Sequence, residues 1–404
     1  MEKEWVEAVC QMQPFPFLTQ QRQMLFERYE HLPHYHLERQ TMRPFYPKQV
    51  FDFGEDDGRV YNFIDSDQQL IAVTHDGDLM VEQRPRTLAE KGVMMTSLFE
   101  ALAFQPEKLE PYIGTLMTLD TKESAFHYMM MNHGLWIYIP DDTVIDEPIL
   151  IEALESQSEQ TLVNHIVIIV GNHCQVAIHH HHQGSGERYF SEVVECFIGQ
   201  NSQVTYEHLD DSDGQSRHYV ERHFQVGRDS HCDVSLVSLG AHHETERMFV
   251  TLKETGATTR VKAAMTSRKR QNKGINVIIQ HDAPHTHSEL VQHGVVFDRG
   301  TLIANADSVI NEHTPKATAK QETKIMMMTD KGKADANPML EIHHNDVKAS
   351  HSASISPMDE NILYYMMLRG IPYETARQLY AVGFLNVIVP KQWRELLEGE
   401  EKKC

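Results

Sequence analysis

Three similar segments, GNHCQVAIHH at 171–180, GQNSQVTYEH at 199–208 and GRDSHCDVSL at 227–236, recur at a constant spacing along the chain. Each begins with a glycine and follows an apolar run of the length of a strand. A weaker fourth copy, GATTRVKAAM, begins at Gly256, one residue later than the spacing requires. A fixed period in this range is typical of repeat proteins, in which each unit stacks on its neighbours.

The repeating unit reads as a strand, a glycine turn and a second strand. Glycine suits such a turn because it tolerates positive φ angles. Periodicity alone leaves two architectures open, an antiparallel meander of hairpins and a β-solenoid. In a solenoid Gly171, Gly199 and Gly227 stack in register at one corner, whereas in a meander they lie at the tips of separate hairpins.

The pattern before and after the repeats is helical. Residues 18–32 have helical spacing, and 97–116 predict two short helices because Pro106 interrupts them. From residue 134 the apolar period changes to two, which indicates strands. After His351 we predict a helix with Ser356 as its N-cap, followed by helices at 372–382 and 391–399. The predicted domains are therefore 1–133, 134–350 and 351–404.

Composition excludes several classes of protein. The formal net charge is −21, without a basic block, so nucleic acid and anionic membrane surfaces are not expected partners. No apolar run is long enough to span a bilayer. The five cysteines form no C-x-x-C motif, which favours a reducing cytoplasm. No phosphate-binding loop, nucleophile elbow or H-E-x-x-H motif is present, so the chain is not expected to be an enzyme.

The segment 333–384 carries a long and specific pattern. It contains DVKASH at 346–351, YY at 364–365 and LRGI at 368–371, in that order. This order resembles the carboxy-terminal signature of the SufB/SufD family of iron–sulfur cluster assembly proteins. The segment HGLWIYIPDDTVIDEPIL at 133–150 is similar to the family's entry into its β domain. The motif ends in His351 where SufB proteins carry a glutamate nearby, so the resemblance is to the SufD branch.

The resemblance implies a mainly β fold. Its core would be a right-handed parallel β-helix, with a mixed, helical amino-terminal domain and a helical carboxy-terminal domain. It also implies a non-catalytic subunit that pairs with a SufB-like subunit and a SufC-like ABC-type ATPase to build and transfer nascent clusters. No tightly bound cofactor is implied, only iron or an iron–sulfur cluster passing transiently at the interface, and the isolated chain could form a homodimer.

The family places particular residues in those roles. The histidine matching His351 lies at the SufB–SufD interface and takes part in building the cluster. Ala349 excludes a thiolate ligand at the position where some SufD proteins have cysteine. His343 and Glu341 share one face of a strand by its period of two, and could hold or relay metal, although a plain polar outer face explains them as well. The predicted ATPase-docking residues are Ile362, Tyr365, Met366, Leu379, Tyr380 and Phe384.

Two further groups of side chains are open to a metal-binding and a structural interpretation. The run His179–His182 would split two and two between the faces of a strand, so it cannot bind one ion as a set. Cys174, Cys196 and Cys232 lie in or beside the repeat strands, and burial explains them better than sulfur transfer.

Two other functions are compatible with the residues. A β-helix enzyme acting on polysaccharide could use acidic groups such as Asp210, Asp211 and Asp213. A homodimeric metal-binding protein acting without a SufB-like partner is the second alternative.

Overall fold

A computed structural model describes residues 3–37, 62–65, 69–155, 161–186, 188–214, 216–240 and 243–399, so the terminal Cys404 lies outside the described residues. The helices in these ranges are α1 (Lys3–Met12), α2 (Pro16–Tyr29), α3 (Arg86–Glu90), α4 (Leu98–Phe104), α5 (Pro106–Leu109), α6 (Lys122–Met130), α7 (Glu360–Leu368), α8 (Tyr373–Asn386) and α9 (Arg394–Gly399), with a 3₁₀ turn at Lys391–Trp393.

Strands make up most of the rest. They are β1 (Asn62–Asp65), β2 (Ile71–His75), β3 (Asp78–Arg84), β4 (Met94–Ser97), β5 (His133–Ile139), β6 (Ile149–Glu155), β7 (Leu162–Val170), β8 (Gln175–Gly186), β9 (Tyr189–Ile198), β10 (Gln203–Asp210), β11 (Asp213–Gly214), β12 (Arg217–Val226), β13 (His231–Ser238), β14 (His243–Leu252), β15 (Thr258–Ser267), β16 (Asn272–His281), β17 (His287–Val296), β18 (Thr301–Ile310), β19 (Thr318–Met327), β20 (Lys333–Ile342) and β21 (Lys348–Pro357).

The strands from β5 onward form two parallel sheets that face each other across a lumen. Sheet 1 runs in the order β6, β8, β10, β13, β15, β17, β19, β21, and sheet 2 in the order β5, β7, β9, β12, β14, β16, β18, β20. Each turn of the chain gives one long strand to each sheet. The predicted β-solenoid is confirmed, and the antiparallel meander is excluded because neighbouring repeats pair in parallel.

The repeat glycines stack at one corner of this solenoid. A Cβ on Gly199 would lie 2.6 Å from the carbonyl carbon of Gly171, and one on Gly227 would lie 2.9 Å from the carbonyl oxygen of Gly199. The three residues have no positive φ, so our explanation for glycine was wrong. Glycine is required here because backbones of successive coils approach too closely for a side chain.

Positive φ angles occur two residues later, in a second column at the same corner. His173, Asn201 and Asp229 have φ angles of 57°, 53° and 52°. The backbone N–H of each donates a hydrogen bond to a carbonyl oxygen of the next coil. The distance from the nitrogen of Asn201 to the carbonyl oxygen of Arg228, for example, is 2.8 Å. Gly256, with φ 77°, belongs to this column. The weaker fourth copy is therefore not aligned on Gly227, because Thr258 pairs with His231 and the coil is one residue shorter than the repeat.

Apolar side chains fill much of the lumen, because alternate residues of each strand point inward. Val204 and Tyr206 of β10 and Val194 and Cys196 of β9 belong to this core. The outward side chains of sheet 2, Val193 among them, pack against the amino-terminal helices in a second apolar cluster. Pro106 begins α5 directly after α4, which confirms the two short helices.

The carboxy-terminal segment differs from the predicted boundary. Strand β21 continues to Pro357, beyond residue 350, and α7 begins at Glu360. Its N-cap is Asp359, whose carboxylate accepts a 2.9 Å hydrogen bond from the backbone of Asn361, rather than Ser356. Pairing with β19 keeps this stretch extended where local signals favoured a helix. Among the described residues, no helix is long and apolar enough to cross a membrane.

Candidate functional site

The last coil of the solenoid leaves both of its strands exposed. Sheet 1 ends at β21 and sheet 2 ends at β20, with no described strand beyond either of them. Most residues of β21 are exposed, whereas strands of the inner coils are largely buried. Apolar side chains lie on this end, with Met339 exposed to 52%, Ile342 to 44% and Ile355 to 44%. The coil therefore presents two strand edges and an apolar surface together.

His351 lies within this open end. It is the fourth residue of β21, not a residue at the end of the strand as the sequence suggested. It pairs in register with Gln321, whose side chain is buried on the lumen side. His351 consequently projects on the lumen side of the last strand, where no further coil covers it. It is exposed and makes no hydrogen bond or ion pair with the described residues.

Glu341 and His343 form a pair of their own. His343 Nε2 lies 2.7 Å from Glu341 Oε1, and both side chains are about half exposed at 45% and 53%. Glu341 pairs in register with Val309, which alternates with the lumen-facing Ser308 and Ile310. The pair thus lies on the outer side of sheet 2, whereas His351 faces the lumen side of sheet 1. The last coil carries all three residues but does not place them on one face.

The six predicted docking residues separate into two groups. Ile362 and Tyr365 of α7 and Leu379 of α8 are exposed, at 39%, 56% and 39%, and Met366 is partly buried. Tyr380 and Phe384, also on α8, instead pack against the outer face of sheet 1. The ring of Phe384 stacks on His293 at 4.7 Å. Of the six predicted docking residues, those on α7 and on the outer side of α8 therefore form the exposed apolar surface.

The histidine run is divided by the strand as its period predicts. His179 and His181 point outward, where His179 lies 3.1 Å from Glu207 and His181 lies 3.1 Å from Asp211. His180 and His182 point into the lumen and are buried. Although partial burial lowers the pKa of His181, its hydrogen bonds to Asp211 and Glu152 raise that pKa to about 9.

A polar region of the lumen is the feature that sequence reasoning missed. It lies where the strands of sheet 1 end and those of sheet 2 begin. Two groups there bring together two histidines and one carboxylate each, His180 with Glu192 and His208, and His182 with Asp210 and His218. The period of two in a strand was a signal for this region. It places residues 180 and 182 of β8, and 208 and 210 of β10, on the same inward face as the apolar residues before them, and all four are polar.

The group around His182 is a network of ion pairs. His182 Nε2 lies 2.7 Å from Glu155 Oε1, and His218 Nδ1 lies 3.1 Å from Asp210 Oδ2. Burial opposes the charged imidazole, but the Glu155 carboxylate raises the pKa of His182 to about 9. Burial likewise opposes the Asp210 carboxylate, but His218 and His182 hold its pKa well below the usual range. Ion pairs therefore stabilise this group, although His218 Nε2 has no hydrogen-bond partner.

The group around His180 has the opposite character. Burial lowers the pKa of His180 to about 4. Burial, and then the Arg222 guanidinium, lowers the pKa of His208 well below its usual value. Both imidazoles are therefore neutral near pH 7, the form in which histidine binds metals.

The three repeat cysteines are buried, at 3% exposure for Cys174 and 0% for Cys196 and Cys232. Burial raises the pKa of Cys196 to about 12, which disfavours the thiolate that sulfur transfer or metal binding needs. All three side chains pack within the apolar lumen. These findings support the structural interpretation of the cysteines.

The comparison with known proteins agrees with this architecture. The family described as SUF system FeS cluster assembly, SufBD core domain, matches residues 153–384, and the SufBD protein N-terminal region matches residues 65–151. The iron–sulfur cluster assembly protein SufD of Bacillus subtilis is 28% identical over 355 residues, which cover 84% of this chain and 80% of that protein.

More distant relatives point to the same family. A SufBD family protein of Synechocystis is 23% identical, over 75% of this chain and 69% of that protein. One from Staphylococcus saprophyticus is 20% identical, over 78% of this chain and 69% of that protein. The family core covers more than half of the sequence, from the end of β6 to α8. The chain therefore belongs to the SufB/SufD family of iron–sulfur cluster assembly proteins and is SufD-like.

Proposed function

We propose that this protein is the non-catalytic, SufD-like subunit of a cluster assembly complex in the cytoplasm. It pairs with a SufB-like subunit through the open end of its solenoid and binds a SufC-like ATPase through α7 and α8. The observation that carries this proposal is the uncovered last coil, with two strand edges and exposed apolar side chains at one end. Membership of the SufB/SufD family supports this function over the alternative of an enzyme acting on polysaccharide.

Unpaired strand edges favour the addition of another strand. An exposed edge carries a row of unpaired N–H and carbonyl groups, and proteins usually cover or blunt it. Here β20 and β21 are the last strands of the two sheets and lie at the same end of the solenoid. A second solenoid could therefore pair with both sheets at once. Without its partner, the isolated chain is expected to form a homodimer through the same edges.

The open end would also bring His351 into the interface. Imidazole is a ligand for iron and for iron–sulfur clusters, and a histidine without an internal partner is available for that purpose. A nascent cluster or ferrous iron is the cargo in this proposal, held transiently between the two subunits. Movement of the ATPases on binding ATP would strain the paired solenoids and open this interface.

A charge placed on the open end tests the pairing. Ile355→Lys should abolish co-purification with a co-expressed SufB-like subunit, because the lysine would be desolvated between two strand edges. It should retain the ATPase, whose proposed surface is on α7. Phe104→Lys is the matched control, because Phe104 is 79% exposed and lies on α4, far from the last coil along the chain. It should retain both partners. Full recovery of the SufB-like partner with Ile355→Lys would contradict edge pairing.

The reciprocal change tests ATPase docking. Ile362→Glu combined with Tyr365→Ala should abolish co-purification of the SufC-like ATPase and retain the SufB-like subunit. Both side chains are exposed on α7, so their removal should leave the fold intact. Deleting all the carboxy-terminal helices would be less informative, because α8 and α9 cover apolar residues of sheet 1 such as Val237 and Val295. ATPase recovery equal to that of the unaltered protein would refute the docking surface.

A further inference from the structure

Three buried side chains meet across the lumen of the solenoid, away from the open end. His180 projects from β8 and His208 from β10, both in sheet 1, and Glu192 projects from β9 in sheet 2. One nitrogen or oxygen atom of each lies within 4.8 Å of those of the other two. His180 Nε2 lies 3.8 Å from Glu192 Oε2. Atoms this close together could all be ligands of a single ion.

Two atoms of these side chains lack the hydrogen-bond partners that buried polar groups usually have. His180 uses Nδ1 in a 2.9 Å contact with the hydroxyl of Tyr206, and its Nε2 has no hydrogen-bond partner. Glu192 accepts a 3.0 Å hydrogen bond from Asn164 on Oε2, whereas its Oε1 has none. Leaving such atoms unpaired in a protein interior is costly and calls for an explanation.

The nearest permanent cation does not satisfy Glu192. Arg222 lies 3.5 Å from Glu192 Oε1 without a hydrogen bond to it, and its closest carboxylate is that of Glu246 at 2.5 Å.

The surroundings orient two of these three side chains as the surroundings of a metal site do. The second nitrogen of a metal-binding histidine usually makes a hydrogen bond that sets the direction of the ring. Tyr206 has this position beside His180, and Asn164 holds the carboxylate of Glu192. The neighbouring group around His182 differs, because Glu155 already occupies its Nε2.

We propose that His180, His208 and Glu192 bind one divalent first-row transition metal ion inside the solenoid. Two imidazoles and one carboxylate form a ligand set that suits ferrous iron and leaves coordination positions open for other ligands. The proposal concerns the isolated chain, so it stands or falls separately from the pairing and docking surfaces described above.

Cobalt(II) is a suitable probe because its visible absorption reports the ligands and geometry around it. Untagged protein, stripped with a chelator, should bind one equivalent of Co²⁺ in equilibrium dialysis. The matched control is the double change His179→Ala and His181→Ala, which removes the two outward histidines of the same strand and should leave that equivalent bound. Glu192→Gln and, separately, His208→Gln should weaken binding by at least about tenfold, the lower end of the loss caused even by changes around a metal's direct ligands.

Several results would overturn the proposal. The unaltered protein could bind no equivalent of Co²⁺, or the His179/His181 double variant could lose it. The third such result is that Glu192→Gln and His208→Gln both still bind Co²⁺ as tightly as the unaltered protein. A second measurement needs no interior substitution and so does not depend on how those variants fold. X-ray absorption of Co²⁺ bound to the His179/His181 double variant should show two imidazole ligands, and fewer than two would equally exclude the site.

Discussion

His351→Ala should reduce cluster assembly on the complex by at least about tenfold, while leaving the fold of the subunit unchanged. The large effect is expected because removal of a direct ligand should exceed the 10-fold to 100-fold losses that follow from changes around such ligands. The fold should be insensitive because His351 is exposed and has no hydrogen bond or ion pair with the described residues. Surface substitutions of this kind usually change the free energy of unfolding by less than about 0.5 kcal/mol.

Three measurements separate this role from a purely structural one. Thermal unfolding should show a midpoint within a few degrees of the unaltered protein, and the SufB-like subunit should still co-purify. Cluster content after reconstitution should fall. His343→Ala is the matched control, because His343 pairs with Glu341 on the outer side of the same coil and should have a smaller effect. If the His351→Ala variant supports normal cluster maturation in cells that depend on this pathway, His351 is not a ligand and is only a surface residue.

Gly199→Ala should destabilise the solenoid by about 1–3 kcal/mol, the usual cost of forcing an extra methyl group into a packed interior. The new Cβ would lie 2.6 Å from both the carbonyl carbon and the carbonyl oxygen of Gly171, and 2.8 Å from the backbone nitrogen of Asn172. These are backbone atoms, held by pairing between successive coils, so no side-chain rotation relieves the contact. The urea concentration at the midpoint of unfolding should fall accordingly.

Gly383→Ala provides the opposite case in the same chain. Gly383 lies within α8, and a Cβ there would have no atom within 4 Å apart from its chain neighbours and the nearby backbone of its own helix. Alanine is favoured over glycine inside a helix by about 0.5–1 kcal/mol, so this change should be neutral or stabilising. Equal midpoints for Gly199→Ala and Gly383→Ala would show that the close stacking of the corner glycines is not required for stability.

The predicted elements differ in how well local sequence specified them. The spacing of Gly171, Gly199 and Gly227 identified a repeat, and parallel pairing of the strands confirmed that they share one corner. The weaker fourth copy was misaligned because coil length varies. Thr258 pairs with the residue 27 positions before it, whereas Lys348 pairs with Thr318, 30 positions before. The extra residues lie in turns, where they leave no periodic signal.

The end of the solenoid was misplaced for a related reason. Ser356 and Pro357 have the local character of a helix start, and Asp359 is the residue that caps α7. Pairing of β21 with β19 extends the strand through Pro357, and this pairing depends on residues 30 positions away. His351 was consequently assigned to a strand end, although it lies on the lumen side within the last strand. Local propensity is a weak guide wherever a neighbouring strand can provide hydrogen bonds.

The sequence by itself determined a β repeat, the split of the histidine run between two faces, and the resemblance to the SufB/SufD family that implied a stacked solenoid. Those features depend on spacing along the chain and on the period of two in a strand. Only the tertiary structure decided that His180 and His208 meet Glu192, and that Glu341 and His343 do not share a face with His351. Contacts across the lumen depend on the register of both sheets, and a shift of one residue would turn every side chain of a strand to its other face.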